Sequence, residues 1–322
     1  MTAGRSRVIS CERSLFEKIA RGSDEAPTTS NRCQRSRFDG AERGQFPQFP
    51  ARGSLLTAVR NIRLKLAYDG TDFVGWQEQA NGLSIQRVIS NAIREMTREE
   101  PILLASGRTD SGVHAVGQVA HFLTATNIPA ERICFGLNAL VPDSITILEA
   151  VDVPVTFHSR YHAVRKWYRY VIDNARVPLP FWNRFSYHAR SRLDVDAMQQ
   201  AANVLIGTHD FRAFETQYPN TESSVRTIEK LVVQRFSDWP IGIPGRPNLA
   251  GPQSAGDFVC LDVVADGFLY NMVRCITGTL LEVGRGKWVT DDVSRVLREG
   301  IRSRAGITAP AKGLFLMQVD YE

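Results

Sequence analysis

Residues 101–123 read PILLASGRTDSGVHAVGQVAHFL, and the organisation of the chain can be read outward from them. PILLAS and VGQVAHFL are short apolar runs that predict two strands. The connection between them holds Arg108, Asp110 and His114 among glycines at 107, 112 and 117. Upstream, NIRLKLAY alternates Ile62, Leu64, Leu66 and Tyr68 with polar partners, a strand pattern. A loop, DGTDFVGWQEQANG, leads to a predicted helix from Ser84, its N-cap. There Ile85, Val88, Ile89, Ala92, Ile93 and Met96 recur at helical spacing. Downstream, a helix beginning at Pro129 carries Ile133, Leu137 and Leu140, and SITILEA closes the first half as a strand.

The second half repeats this grammar. VRKWYRYVID, TIEKLVVQRF, DFVCLDVVA and GLFLMQVDY predict strands. DVDAMQQAANVLIG predicts a helix capped by Asp194 and stopped by Gly207. NMVRCITGTLLEVG predicts one ended by Gly284, and TDDVSRVLREG one framed by Thr290 and Gly300. The Pro/Gly-rich stretch at 237–256 predicts a loop outside the core. Two halves of mixed strands and helices imply an α+β fold with largely antiparallel sheets. The expected division is 59–159 and 160–322, preceded by an extension over 1–58. That extension has no helical or strand period, and it reads as disordered or as a product of a mis-called start.

The 322 residues suffice for one large domain or two smaller ones. No window approaches 18 uninterrupted apolar residues, and the basic N-terminus lacks the apolar core of a secretory signal. Five scattered cysteines without a CxxC argue against a disulfide framework and a cysteine-based zinc site, and for a reducing, cytoplasmic setting. The net charge of +5 arises in residues 1–60, with 11 Lys+Arg against 6 Asp+Glu; the remaining 28 and 28 cancel. A functional basic surface must therefore be a local cluster.

Three places carry chemistry. Asp110 lies in a glycine frame that permits close backbone approach to a ligand. Arg108, two residues away, could hold its carboxylate ionised, and an ionised carboxylate serves as nucleophile or base. The alternative is an Asp that only bonds its own turn. DSG also matches the aspartic-protease pattern, but that chemistry needs a second such carboxylate and the chain has none. His114 and His121 are seven apart, which fits no common metal signature. No phosphate-binding glycine motif indicates a nucleotide cofactor.

The second place is 158–192. It holds Arg160, Arg165, Lys166, Arg169, Arg176, Arg184, Arg190 and Arg192 against the single acid Asp173, interleaved with eight aromatic residues. Cations neutralise phosphates and rings stack on unpaired bases, so the segment predicts an RNA-contact surface. The competing reading is an ordinary sheet strand, in which Lys166, Tyr168 and Tyr170 share one face and Arg165, Trp167 and Arg169 the other. The third place is Arg274, a cation in apolar helical company. It calls for a carboxylate partner, with Asp110 a candidate, or for a snorkelling position at the surface.

Five ordered motifs, YDGTDFVGWQ, GRTDSGVHAVGQVAHF, FHSRYHAVRKWYRYVI, GFLYNMVRCITGTLLEVG and AKGLFLMQVDY, resemble those of the tRNA pseudouridine synthase A family from about Arg60 to the end. The resemblance implies two similar α/β lobes whose antiparallel sheets join into one central sheet, with the active-site cleft between them. It implies a homodimer that isomerises uridine at positions 38, 39 and 40 of the tRNA anticodon arm, without cofactor or metal. By position in those motifs, Asp110 falls on the catalytic Asp, Tyr168 on the tyrosine that packs against the target base, Arg274 on the partner of the carboxylate, and Arg108 on the arginine that holds the nucleotide out of its stack. Trp167 departs from the basic or tyrosine residue common there. A non-catalytic RNA binder and a hydrolytic nucleosidase are the rival readings.

Overall fold

The computed structural model describes residues 59–216, 223–242 and 256–322. The leading segment 1–58 and most of the 237–256 loop lie outside the described residues. Ten strands form a single sheet: β1 (Arg60–Tyr68), β2 (Leu104–Ala105), β3 (His114–Thr124), β4 (Ile145–Val153), β5 (Ala163–Asp173), β6 (Tyr187–His188), β7 (Gly207–Asp210), β8 (Val225–Phe236), β9 (Phe258–Ala265) and β10 (Leu314–Tyr321). Its main order is β4-β1-β3-β10-β5-β9-β8-β7, with β2 paired to β3 and β6 to β5. Strands from the first half of the chain meet those from the second where β3 and β10 pair in parallel, over only Phe315↔His114 and Leu316↔Ala115. Apart from this seam and the short β5–β6 pair, the sheet is antiparallel, as the alternating patterns predict.

Five helices, α1 (Ile85–Thr97), α2 (Ala130–Leu140), α3 (Val195–Asn203), α4 (Met272–Gly284) and α5 (Thr290–Glu299), all send side chains into one large core. Ile85, Ile89 and Ile93 of α1 and Leu64, Leu66, Tyr168 and Tyr170 of the sheet belong to it. At roughly 25 cal/mol per Å² of buried apolar surface, such a layer is the main stabilising contribution. The opposite face has a smaller cluster around Val171, Phe258, Cys260, Phe315 and Met317, against which Trp167, Trp182, Phe185 and Trp239 pack. Strand alternation in β5 thus sends Tyr168 and Tyr170 to the helix side and Trp167 to the other.

Caps explain the boundaries. Ser84 accepts from the Arg87 amide and Asp194 from the Ala197 amide, as their sequence positions predict. Three expectations need correction. The helix capped by Asp194 ends at Asn203, before Gly207: tight turns at Leu205 and Ile206 follow, and Gly207, at φ 109°, opens β7. PILLAS forms strand only at Leu104–Ala105, because Pro101 has no amide to donate and the Leu103 carbonyl is taken by the Gln86 side chain. The cap of α5 is Val289, whose amide donates to Asp292, with Thr290 as first helical residue. The two- and four-residue strands β6 and β7 are too short to show a period.

Candidate active site

Asp110 sits in the β2–β3 loop, immediately before the seam. The loop is held from several sides. Tyr68 at the end of β1 shares a 2.8 Å hydroxyl bond with Thr109. The Trp76 amide donates to the Thr109 carbonyl, and the Ser111 hydroxyl donates to the Phe73 carbonyl. Gly75 stands at φ 109°, and a Cβ there would lie 2.8 Å from the Thr109 oxygen. No other residue lets the 69–77 loop pack so closely against the Asp110 loop. On the other limb, the Gln118 amide donates to the Gly107 carbonyl and the Lys166 ammonium to the Ser106 carbonyl, at 3.0 and 2.8 Å.

Arg274 arrives from the first turn of α4. Its Nε donates to the Ala309 carbonyl at 2.7 Å and its Nη1 to Asn271 Oδ1 at 2.6 Å. The same Nη1 lies 3.5 Å from Asp110 Oδ2, with both side chains about one-fifth exposed. Asn271 itself adopts a left-handed backbone at the head of α4 (φ 62°). Close packing fixes this geometry: a Cβ on Gly278 would lie 1.6 Å from the Ile307 carbonyl, so the 305–309 segment can rest on α4 only there. Burial raises the Asp110 carboxyl above its ordinary range, and the Arg274 charge and hydrogen bond oppose that shift. The pair sits within reach of the N-terminus of α4, whose dipole also favours a carboxylate.

Arg108, read from the sequence as a possible partner, is exposed and makes no bond among the described residues. The carboxylate's ion pair is with the distant Arg274, so the adjacent-residue reading is corrected: two positions along an irregular loop, the side chains diverge. Tyr168 lies in the core with its ring edge-on to Phe268, and its hydroxyl has no hydrogen-bond partner among the described residues. Burial pushes this phenol far above its usual range, reinforced by nearby Tyr68 and Asp110. Asp110, Arg274 and Tyr168, far apart in sequence, are therefore neighbours. Asn271, Thr109 and Tyr68 complete the setting; of these only Tyr68 has a sequence signal, as the last inward residue of β1.

His114 is buried at the seam, stacked on Phe315 and in contact with Phe185, and its Nε2 faces the Arg184 and Lys312 carbonyls. It joins the two halves of the sheet. Burial lowers His121 to about 4. No group of three or more His, Cys, Asp and Glu suited to a metal ion occurs among the described residues, and none of their helices is long and apolar enough to cross a membrane.

The basic segment divides. Arg165 pairs with Glu229 and Asp320, Arg169 with Asp262, Arg184 with Asp69 and Asp72, and Arg192 with Asp257. Trp182 and Phe185 lie in the second cluster. For these residues the ordinary sheet reading holds. Arg160, Lys166, Arg176 and Arg190 have no carboxylate partner among the described residues.

Sheet and site together define a class: an α+β enzyme that presents one carboxylate, opposed by one guanidinium, where two sheet halves join. Known proteins narrow it further. A family model described as tRNA pseudouridine synthase matches residues 66–162 and 201–322. The chain is 41% identical over 263 residues to tRNA pseudouridine synthase A of Thermoanaerobacter sp. (strain X514), covering 82% of this chain and 100% of that protein. It is 45% identical over 262 residues to tRNA pseudouridine synthase A of Moorella thermoacetica, covering 81% and 99%. The chain belongs to the tRNA pseudouridine synthase family, and so to the isomerases.

Proposed function

We propose that this chain converts uridine to pseudouridine at positions 38, 39 and 40 of the tRNA anticodon stem-loop, with Asp110 as nucleophile and no cofactor. The observation that carries the reading is the Asp110–Arg274 pair beside Tyr168. The reaction breaks the C1′–N1 bond, rotates the freed uracil and joins C1′ to C5; C5 loses its proton and N1 gains one. Nothing is oxidised or reduced. A carboxylate adding to the base or to the ribose makes the break feasible without external energy. Arg274 holds that carboxylate ionised and aimed against the opposing effect of burial. The target must leave its stack first. Tyr168 then offers a ring for the base and Arg108, exposed and without a partner among the described residues, a group to keep it out. Exclusion of water keeps the detached uracil from hydrolysis. Two copies acting together in the cytoplasm suit a tRNA substrate and the free thiols of Cys134, Cys260 and Cys275.

Tritium release from C5-labelled uridine in an unmodified tRNA transcript, followed by nucleoside analysis and site mapping, tests this. Tritium release with pseudouridine at 38–40 is expected. Free uracil would mean a nucleosidase, and neither product an RNA binder.

A further inference from the structure

The ammonium of Lys166 lies beside the Asp110 loop without a counter-charge among the described residues. It donates to the Ser106 carbonyl at 2.8 Å, its one hydrogen bond among the described residues, leaving two N–H groups unused. Its surroundings add more positive charge. Arg160 follows Ser159, whose hydroxyl donates to the Leu104 carbonyl two residues before Ser106, and Arg226 lies on β8 two residues before Ile228, which like Lys166 pairs with Ala265; both depress the protonation of Lys166. Among the described residues neither has a carboxylate partner: there Arg226 donates to the Ser223 and Val225 carbonyls, and Arg160 lies over the Tyr161 ring. The strands flanking β5 contribute apolar neighbours, Val319 on β10 and Ala265 on β9. The catalytic loop contributes uncharged Ser106 and Gly107, where a Cβ would sit 3.1 Å from the ammonium. Asp266, the acid next to Ala265, accepts the Thr227 amide and pairs with none of the three among the described residues; cations so placed repel one another, an arrangement that an arriving anion stabilises.

We infer that Lys166, Arg160 and Arg226 form an anion site for a backbone phosphate of the substrate RNA, beside Ser106, which precedes Asp110 by four residues. This rests on the tRNA substrate proposed above. Lys166 lies on β5 two residues before Tyr168 and on the same face, so a strand whose base reaches Tyr168 brings a phosphodiester within range of the ammonium. Gly107 leaves the space beside it open. The site is also proton-linked. Burial first, then Arg160 and Arg226, lower free Lys166 to about 8. A bound phosphate reverses part of that shift, so RNA binding takes up a proton in mildly alkaline solution. The sign follows: affinity is full below the free pKa and declines as pH rises through it.

The test is equilibrium binding of an unmodified tRNA transcript to the full chain between pH 7 and pH 9, with turnover measured in parallel. Wild type is expected to lose about tenfold in affinity over that range, the consequence of one lysine titrating near 8. Lys166→Arg should bind like wild type at pH 7 with that decline removed, since arginine stays charged. Lys166→Gln should bind about tenfold more weakly at pH 7, with a salt slope shallower by about one. Wild-type affinity that declines no more than that of Lys166→Arg overturns the site, and so does a folded Lys166→Gln with unchanged affinity and salt slope. If Lys166→Gln fails to fold, the Lys166→Arg comparison decides alone. Pseudouridine formation with pH-independent binding refutes this site and leaves the activity standing; proton-linked binding without pseudouridine does the reverse.

Discussion

In the loop at 106–114, Asp110 meets Arg274 at 3.5 Å and Arg108 has no partner among the described residues, whereas on β5 Arg169 grips Asp262 through two bonds of 2.8 Å. The same kinds of group thus form two different devices. The Arg169–Asp262 pair is short and two-pronged, and the Trp167 indole adds a third bond at 2.7 Å. Such a pair is saturated and works as structure. The Asp110–Arg274 contact is long and single, and burial opposes the charged carboxyl. It leaves the oxygen available to a substrate.

The comparison can be broken at either end. Asp110→Asn should lower pseudouridine formation by about 10³-fold or more, because the proposed nucleophile is lost. Its melting temperature should hold or rise: a carboxyl whose folded pKa is raised costs stability above that pKa, and Asn removes the cost. Normal turnover would remove Asp110 from the chemistry. Arg169→Gln should instead cost about 3 kcal/mol in chemical denaturation by stranding Asp262, with kcat close to wild type for the folded fraction. A loss of kcat without a loss of stability would reverse the two assignments.

Smaller effects sharpen the contrast. Arg274→Gln should lower kcat about 100-fold and move the acid limb of the pH–rate profile upward, since the influence that lowers the Asp110 pKa is gone. An unmoved limb would show that the limb belongs to another group. Tyr168→Phe should slow turnover about tenfold with little change in affinity, the ring being kept; a large affinity loss would mean that the hydroxyl mainly binds. Arg184→Gln, which breaks exposed contacts to Asp69 and Asp72, should cost under about 1 kcal/mol and leave tRNA affinity within twofold.

The same contrast shows what pattern can and cannot reveal. Periodicity placed elements that bury one face, such as β1 and α1, and continuous apolar runs placed those buried on both, such as β9 and α4; Ser84 and Asp194 announced their helices because a cap is a local bond. Partnership over long separations is not local. Nothing around Arg165, Arg184 or Arg192 says that their acids lie at Glu229 and Asp320, at Asp69 and Asp72, or at Asp257, so the segment looks more like an RNA surface than it is. Asp110 and Arg274 were brought together by motif resemblance, since 164 positions separate them. Lys166 was visible only as one cation among eight. That no carboxylate meets it among the described residues is a property of the folded surroundings.

The parallel seam has a consequence for the order in which the molecule is made. β10, at residues 314–321, is the strand that touches both β3 and β5. Until it emerges from the ribosome, the strands before it form two separate sheets, and the aromatic bed of His114 lacks Phe315. A nascent chain therefore carries Asp110 for about two hundred residues before β10 can join its half of the sheet to the half that holds Arg274.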